Sequence, residues 1–246
     1  MTSGVGSFPT TDWGLLGNLR AQSAEARRAS LDILIRRYWK PVYLFLRGSG
    51  RDEEQSKDLT QAFFLDWLER DAFQWADPAK GRFRTFMLTC LKRFASNVHR
   101  AEYAAKRRPT GGVASLDEMM SSEVVHFEPA DHQTPESLFN RAWAVAVLSR
   151  VLERLNQQFH EKGQEAHADI LRSRLVDPIL NGVAPVSTED LAAKYEISTK
   201  QVFNLLETAK RAYRQMIRDE VSLYAVGGSE ISDELNDLFR ILGDKA

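Results

Sequence analysis

Residues 187–221 read STEDLAAKYEISTKQVFNLLETAKRAYRQMIRDEV, and this stretch decides the fold. A short helix from about Glu189 to Tyr195 turns Leu191, Ala192 and Tyr195 inward. Glu196–Ser198 makes a turn plugged by Ile197, and a longer helix starts at Thr199. On that helix Val202, Leu206, Ala209, Tyr213 and Ile217 recur at three- and four-residue steps, the spacing of one buried stripe. A short helix, a tight turn and a second helix opened by a Ser/Thr cap are the elements of a helix-turn-helix. The outward face of the second helix begins with Thr199, Lys200, Gln201 and Asn204, side chains that reach base edges or phosphates in a major groove. Lys210, Arg211 and Arg214 lie further along, placed to clamp backbone. A helical hairpin with no DNA role fits the same pattern.

Outward from this pair the whole chain reads as helical. Thr11 or Asp12 caps a first helix carrying Trp13, Leu15, Leu16 and Leu19. A long helix follows from about Ser23 with Leu31, Leu34, Ile35, Tyr38 and Trp39 in helical register, and Pro41 is expected to interrupt or kink it. Gly48-Ser49-Gly50 ends the apolar material that continues beyond Pro41. The next helix, about Glu53–Glu69, aligns Leu59, Phe63 and Trp67. A turn at Asp77–Pro78 precedes a basic helix over about Phe83–Lys106. Residues 109–135, rich in Gly, Ser, Pro and acids, have the marks of an exposed linker. Trp143, Val147, Val151, Leu152 and Leu155 make another amphipathic helix, and residues 165–180 one more. Ile231, Leu235, Leu238, Phe239 and Leu242 form a short amphipathic tail. No run alternates β-branched residues as a strand would, so the expected class is all-α.

The charge balance looks uninformative, with 33 basic against 34 acidic side chains in 246 residues and a net charge of −1. Resolved along the chain it is not. Residues 79–108 hold nine Lys/Arg and one acid, a local +8, while residues 109–140 hold six acids and no Lys or Arg. The basic block is interleaved with Phe83, Phe86, Phe94 and Tyr103. Cations neutralise phosphates and exposed rings stack on unpaired bases, so the block suits a nucleic-acid strand. An amphipathic helix with a basic solvent face and an aromatic core face is the plainer alternative.

Other chemistry finds little support. The histidines at 99, 126, 132, 160 and 167 have no second ligand at helical spacing, and a lone Cys90 allows neither an internal disulfide nor a thiolate-rich metal site. No Gly-rich phosphate loop is present, Glu53, Glu54 and Asp58 fit a solvated helix face, and Cys90 reads as a core residue. No segment approaches the apolar length of a membrane span, and the start MTSGVGSFPTTDW lacks a secretion signal. The expectation is a cytoplasmic, non-enzymatic protein without metal or cofactor.

In order along the chain, the lobes resemble sigma factors of bacterial RNA polymerase, of the extracytoplasmic-function type. The resemblance rests on YWKPVYLFLRGSGRDEEQSKDLTQAFFLDWLE at 38–69, above all Asp58-Leu59-Thr60-Gln61-Ala62-Phe63-Phe64. It continues through GRFRTFMLTCLKRFASNVHR at 81–100 and resumes at the helix-turn-helix. FPTTDW near the start, EPADHQTPES at 128–137 and RAWAVAVLSRVLERL at 141–155 look like a longer-chained branch of the family. The sequence departs from the family pattern at Ala62, where glutamate is usual, and at Glu196, where glycine is usual. Leu205 and Thr208 replace residues that are often basic.

The resemblance implies two helical lobes, 1–108 and 141–226, joined by an acidic linker over 109–140 and followed by a tail at 227–246. It implies contact with core RNA polymerase at Asp58, Gln61, Phe64 and Asp66. It places the downstream promoter element at Arg82, Arg84, Lys92, Arg93, Asn97 and Arg100. The upstream element falls to Lys200, Gln201, Asn204 and Thr208, with Lys210 and Arg211 on phosphates. An inhibitory anti-sigma-like partner is the further expectation. A sigma-like interaction protein that has lost promoter recognition is the first rival, and an all-helical enzyme the second.

Overall fold

The computed structural model describes residues 24–77, 80–104, 133–222 and 228–243. The helix expected around Trp13, the FPTTDW segment and most of the acidic stretch lie outside them. The described residues are helical, with no strand among them. They divide into two compact units: everything up to Trp143 with Ser222 and 228–234, and Ala144–Val221 with Leu235–Gly243.

The first unit is built on helix α1, Ala24–Gly48, which runs unbroken through Pro41. The expected interruption does not occur. Proline in a helix interior costs roughly 3 kcal/mol. Here it sits among Tyr38, Trp39, Val42, Tyr43, Phe45 and Leu46, all buried, and their burial outweighs one lost hydrogen bond. Gly48 closes the helix where the backbone must be bare: a Cβ there would meet the Leu138 side chain at 2.5 Å.

Helix α2, Glu53–Glu69, starts on Asp52, whose carboxylate accepts from the Gln55 N–H at 2.8 Å. Phe63, Phe64 and Trp67 are buried, as is Thr60, whose hydroxyl donates to the Ser56 carbonyl. A 3₁₀ turn, Ala72–Trp75, follows. Helix α3, Phe83–Ala104, packs Phe83 edge-on against Tyr38 at 5.5 Å and Phe94 against Phe63 at 5.5 Å. Helix α4, Pro135–His160, contributes Leu138, Phe139 and Trp143 to this core.

The second unit takes α4 from Ala144 onward. The helix expected over 165–180 runs without a break from Glu165 to Asn181, as α5, Glu165–Leu171, a wider π turn at Arg172–Val176, and α6, Asp177–Asn181. Asp177–Pro178 explains part of this, since proline brings no N–H to a regular ladder. Helix α7 spans Thr188–Lys194 and α8 spans Thr199–Ser222. The five residues expected to form the inner stripe of α8 are all buried. The Tyr213 hydroxyl donates to the Leu148 carbonyl at 3.1 Å, and burial pushes its pKa well above the ordinary tyrosine value. Glu220, 3% exposed, receives Arg150 at 3.2 Å and Arg154 at 3.0 Å.

The final helix, α9, covers Gly228–Gly243. Its face differs from the expected apolar stripe. Leu238 is buried but Phe239 is largely exposed, and the most buried polar residue is Glu234.

Candidate nucleic-acid and polymerase interfaces

Helix α3 carries the downstream set, and the structure divides that set in two. Lys92, Arg93, Asn97 and Arg100 lie on one outward arc, because positions 92, 93, 97 and 100 fall within less than half a helical turn of angle. With Ser96 they line a shallow depression of about 410 Å³. Lys92 is tied to Glu136 at 2.7 Å, and that hydrogen bond holds the Glu136 carboxyl below its ordinary range. One acid of the negative stretch therefore neutralises one cation of the basic helix.

The other two members, Arg82 and Arg84, are engaged within the fold. Arg84 is only 6% exposed and forms a two-pronged pair with Glu234, Nε to one oxygen at 3.0 Å and Nη2 to the other at 3.1 Å. It also hydrogen-bonds Asn140 and lies over the Trp143 ring at 4.4 Å. Arg82 reaches the same carboxylate at 2.7 Å. Arg84 thus differs from the expected surface contact. Its guanidinium matches the carboxylate fork and the aromatic face better than water does.

Beside these residues a groove of about 520 Å³ runs between α2, the 3₁₀ turn and α3. Half-buried Phe86 and Phe94 supply aromatic surface with Phe63 and Trp67 buried behind them, while Arg82, Arg93, Asn97 and Lys80 supply polar and cationic edges. Trp75 borders it and is 59% exposed. Sequence reasoning passed over Trp75, although an indole between polar residues of a short loop is an unusual expense of apolar surface. Cys90 also lines the groove; burial pushes its thiol up to about 11, ahead of the opposing pull of Arg93, so it stays protonated at neutral pH.

The four residues assigned to polymerase contact separate as well. Asp58 is exposed and Gln61 half-buried, one turn apart on α2. Asp66 pairs with Arg70 at 2.7 Å and lines the groove. Phe64 turns the opposite way, into the core against Phe63 at 5.3 Å, so its apolar ring serves the fold and not an outside partner.

On α8 the reading face is partly committed. Ser198 and Gln201 form a reciprocal cap: the Gln201 Oε1 accepts from the Ser198 N–H at 2.8 Å, and the Ser198 hydroxyl oxygen accepts from the Gln201 N–H at 3.3 Å. Gln201 therefore holds the helix start. Lys200, Asn204 and Arg211 are exposed. Thr208 donates its hydroxyl to the Asn204 carbonyl, and Lys210 bonds Glu207 at 2.9 Å. Phe203, missed by the periodicity argument, stands 53% exposed among them. In the turn Glu196 adopts φ 53°, the left-handed region where glycine is the usual residue.

No group of His, Cys, Asp and Glu placed to hold a metal ion occurs among the described residues, and none of their helices is long and apolar enough to cross a membrane. No family model matches the chain, and neither a curated protein nor a solved structure does.

Proposed function

We propose that the chain is a sigma factor of the extracytoplasmic-function type, which binds core RNA polymerase and directs it to a class of promoters. The observation that carries the reading is the Trp75-edged groove continuous in residues with the cationic arc of α3, since Arg93 and Asn97 belong to both. Unpaired bases offer π-faces and phosphates offer charge, and a groove with rings and cations suits both. The capped helix-turn-helix with Lys200, Asn204 and Arg211 outward suits a duplex-reading module, the second part that promoter recognition needs. On this reading the lobes are 1–108 and 141–226, 227–246 is the tail, and the acidic 109–140 lies between the lobes, its end at 135–140 already part of α4 and packed into the first unit through Leu138 and Phe139. Asp58, Gln61 and Asp66 remain as the polymerase contacts, the protein works in the cytoplasm, and an anti-sigma-like inhibitor covers its surfaces until a signal releases it.

The test is reconstituted initiation on a panel of genomic promoters with core polymerase. Reversing charge at Arg93 and Arg100 together should lower initiation at least about tenfold while leaving polymerase binding in place. Unchanged promoter opening would remove the downstream assignment.

One set of observations favours the rival, an interaction protein of sigma-like fold. Gln201 is spent on a cap, Lys210 on Glu207, and Glu196 occupies a strained turn. Tight polymerase binding without initiation on any promoter of the panel would select it.

A further inference from the structure

We propose that α9 is an autoinhibitory latch, in which Glu234 holds Arg82 and Arg84 away from the phosphates of a DNA strand until the helix leaves. This rests on the promoter-binding reading above and adds a regulatory element to it. Arg82, Arg84, Asn140, Trp143 and Glu234 all belong to the first unit.

The geometry is that of a built anion site already filled. Glu234 is 1% exposed and both of its oxygens are used, one by Arg84 Nε and the other by Arg84 Nη2 and Arg82 Nη1. A carboxylate and a phosphate present the same paired oxygens to a guanidinium, so either satisfies Arg84. Asn140 and the Trp143 ring also hold the guanidinium, and neither contact uses the carboxylate. Arg82 lines the Trp75 groove itself, so a strand entering that groove meets the same cations that Glu234 now neutralises.

Stability alone is a poor reason for this arrangement. Removing two charges from water offsets most of their attraction, and a well-packed apolar pair of similar volume would hold the helix as firmly. The best-attested use of a buried ion pair is to set register or to switch. The arginines chosen are two of the six on the segment that otherwise faces DNA, and the carboxylate comes from a helix 150 positions later in the chain.

The experiment titrates a fluorescein-labelled oligothymidylate of about twelve nucleotides into the full-length protein at several salt concentrations. Three proteins are compared: wild type, Glu234→Gln, and the double variant Arg84→Met with Glu234→Met. Each phosphate neutralised on a single strand adds ~0.7 to the slope of log affinity against log salt. Glu234→Gln removes the negative charge that neutralises both arginines, so its slope should steepen by ~1.4 with a gain of about tenfold in affinity at low salt. The double variant fills the buried space with apolar atoms and removes the carboxylate opposing Arg82 alone, for ~0.7. It also decides the matter if Glu234→Gln, checked by circular dichroism, does not fold. Wild-type slopes in the folded variants, with binding by all three, would overturn the latch and leave the promoter reading standing. Binding by none would overturn the promoter reading and the latch with it.

Discussion

Two glutamates are buried among the described residues, one in each unit, and each is met by two arginines. Glu220 on α8 receives Arg150 and Arg154, one turn apart on α4. Glu234 on α9 receives Arg84 from the first turn of α3 and Arg82 from the residue just before it. The chemistry is alike and the sources of the cations are not. Arg150 and Arg154 lie on a helix with no place in either proposed DNA face, so their cluster has only the second unit to hold together. Arg82 and Arg84 belong to the basic segment, so the first cluster removes cations from a surface that could otherwise use them. A buried ion pair is therefore to be judged by what its members would do if released.

The largest effect expected from this contrast is at Glu220. Glu220→Gln leaves two guanidinium groups facing a neutral amide and should cost about 2–3 kcal/mol in urea unfolding. Its oligonucleotide binding should stay at the wild-type slope. A steeper slope there would make the two clusters equivalent and dissolve the distinction.

A smaller effect tests where the second unit carries its strain. Glu196→Gly removes the Cβ from a left-handed turn and should stabilise the unit by about 1 kcal/mol, seen as a raised Tm. A fall in Tm would mean that the Glu196 side chain contributes more than its backbone costs.

The smallest effect concerns the exposed counterpart of the buried clusters, Asp169 with Lys194 and Tyr195. Burial works to raise the Asp169 pKa, but hydrogen bonds from Lys194 and Tyr195, both at 2.7 Å, win and hold it below 3.8. The hydrogen bond to Asp169 in turn raises Lys194 above 10.5. A depressed carboxyl stabilises the fold fully above its unfolded value and loses that contribution as pH falls through the folded one. The raised ammonium behaves oppositely, its contribution lost as pH climbs through its folded value. Asp169→Asn should therefore be less stable than wild type at neutral pH, with the gap closing in acid. A gap independent of pH would assign the loss to packing.

The inner stripe of α8 was legible in the sequence because helical periodicity is local: Val202, Leu206, Ala209, Tyr213 and Ile217 need only their own helix to be recognised. The same argument aligned Phe63 and Trp67 on the face that is buried; Phe64 was assigned from the resemblance instead, and a family motif says which residues recur together and not which way each ring points. Pro41 does not interrupt its helix, because its helix-breaking cost is local while the burial that offsets it is tertiary. Glu234 was illegible for the opposite reason. A glutamate in an amphipathic tail reads as solvated, and its partners are 150 positions away. Of the candidate faces, the arc at 92–100 could be drawn from residue numbers alone. That Arg84 sits beneath a carboxylate, and that Trp75 stands beside a groove, required the fold.

Trp75 gives the first unit a spectroscopic property of its own. Trp39, Trp67 and Trp143 are buried, while Trp75 stands mostly in water. Its indole therefore emits to the red of those three and is open to a soluble quencher such as acrylamide that they resist. Among the tryptophans of the described residues, a ligand lying in the groove would shield that ring first, so with Trp13 replaced by phenylalanine the intrinsic fluorescence of the unlabelled chain reports whether the groove is occupied.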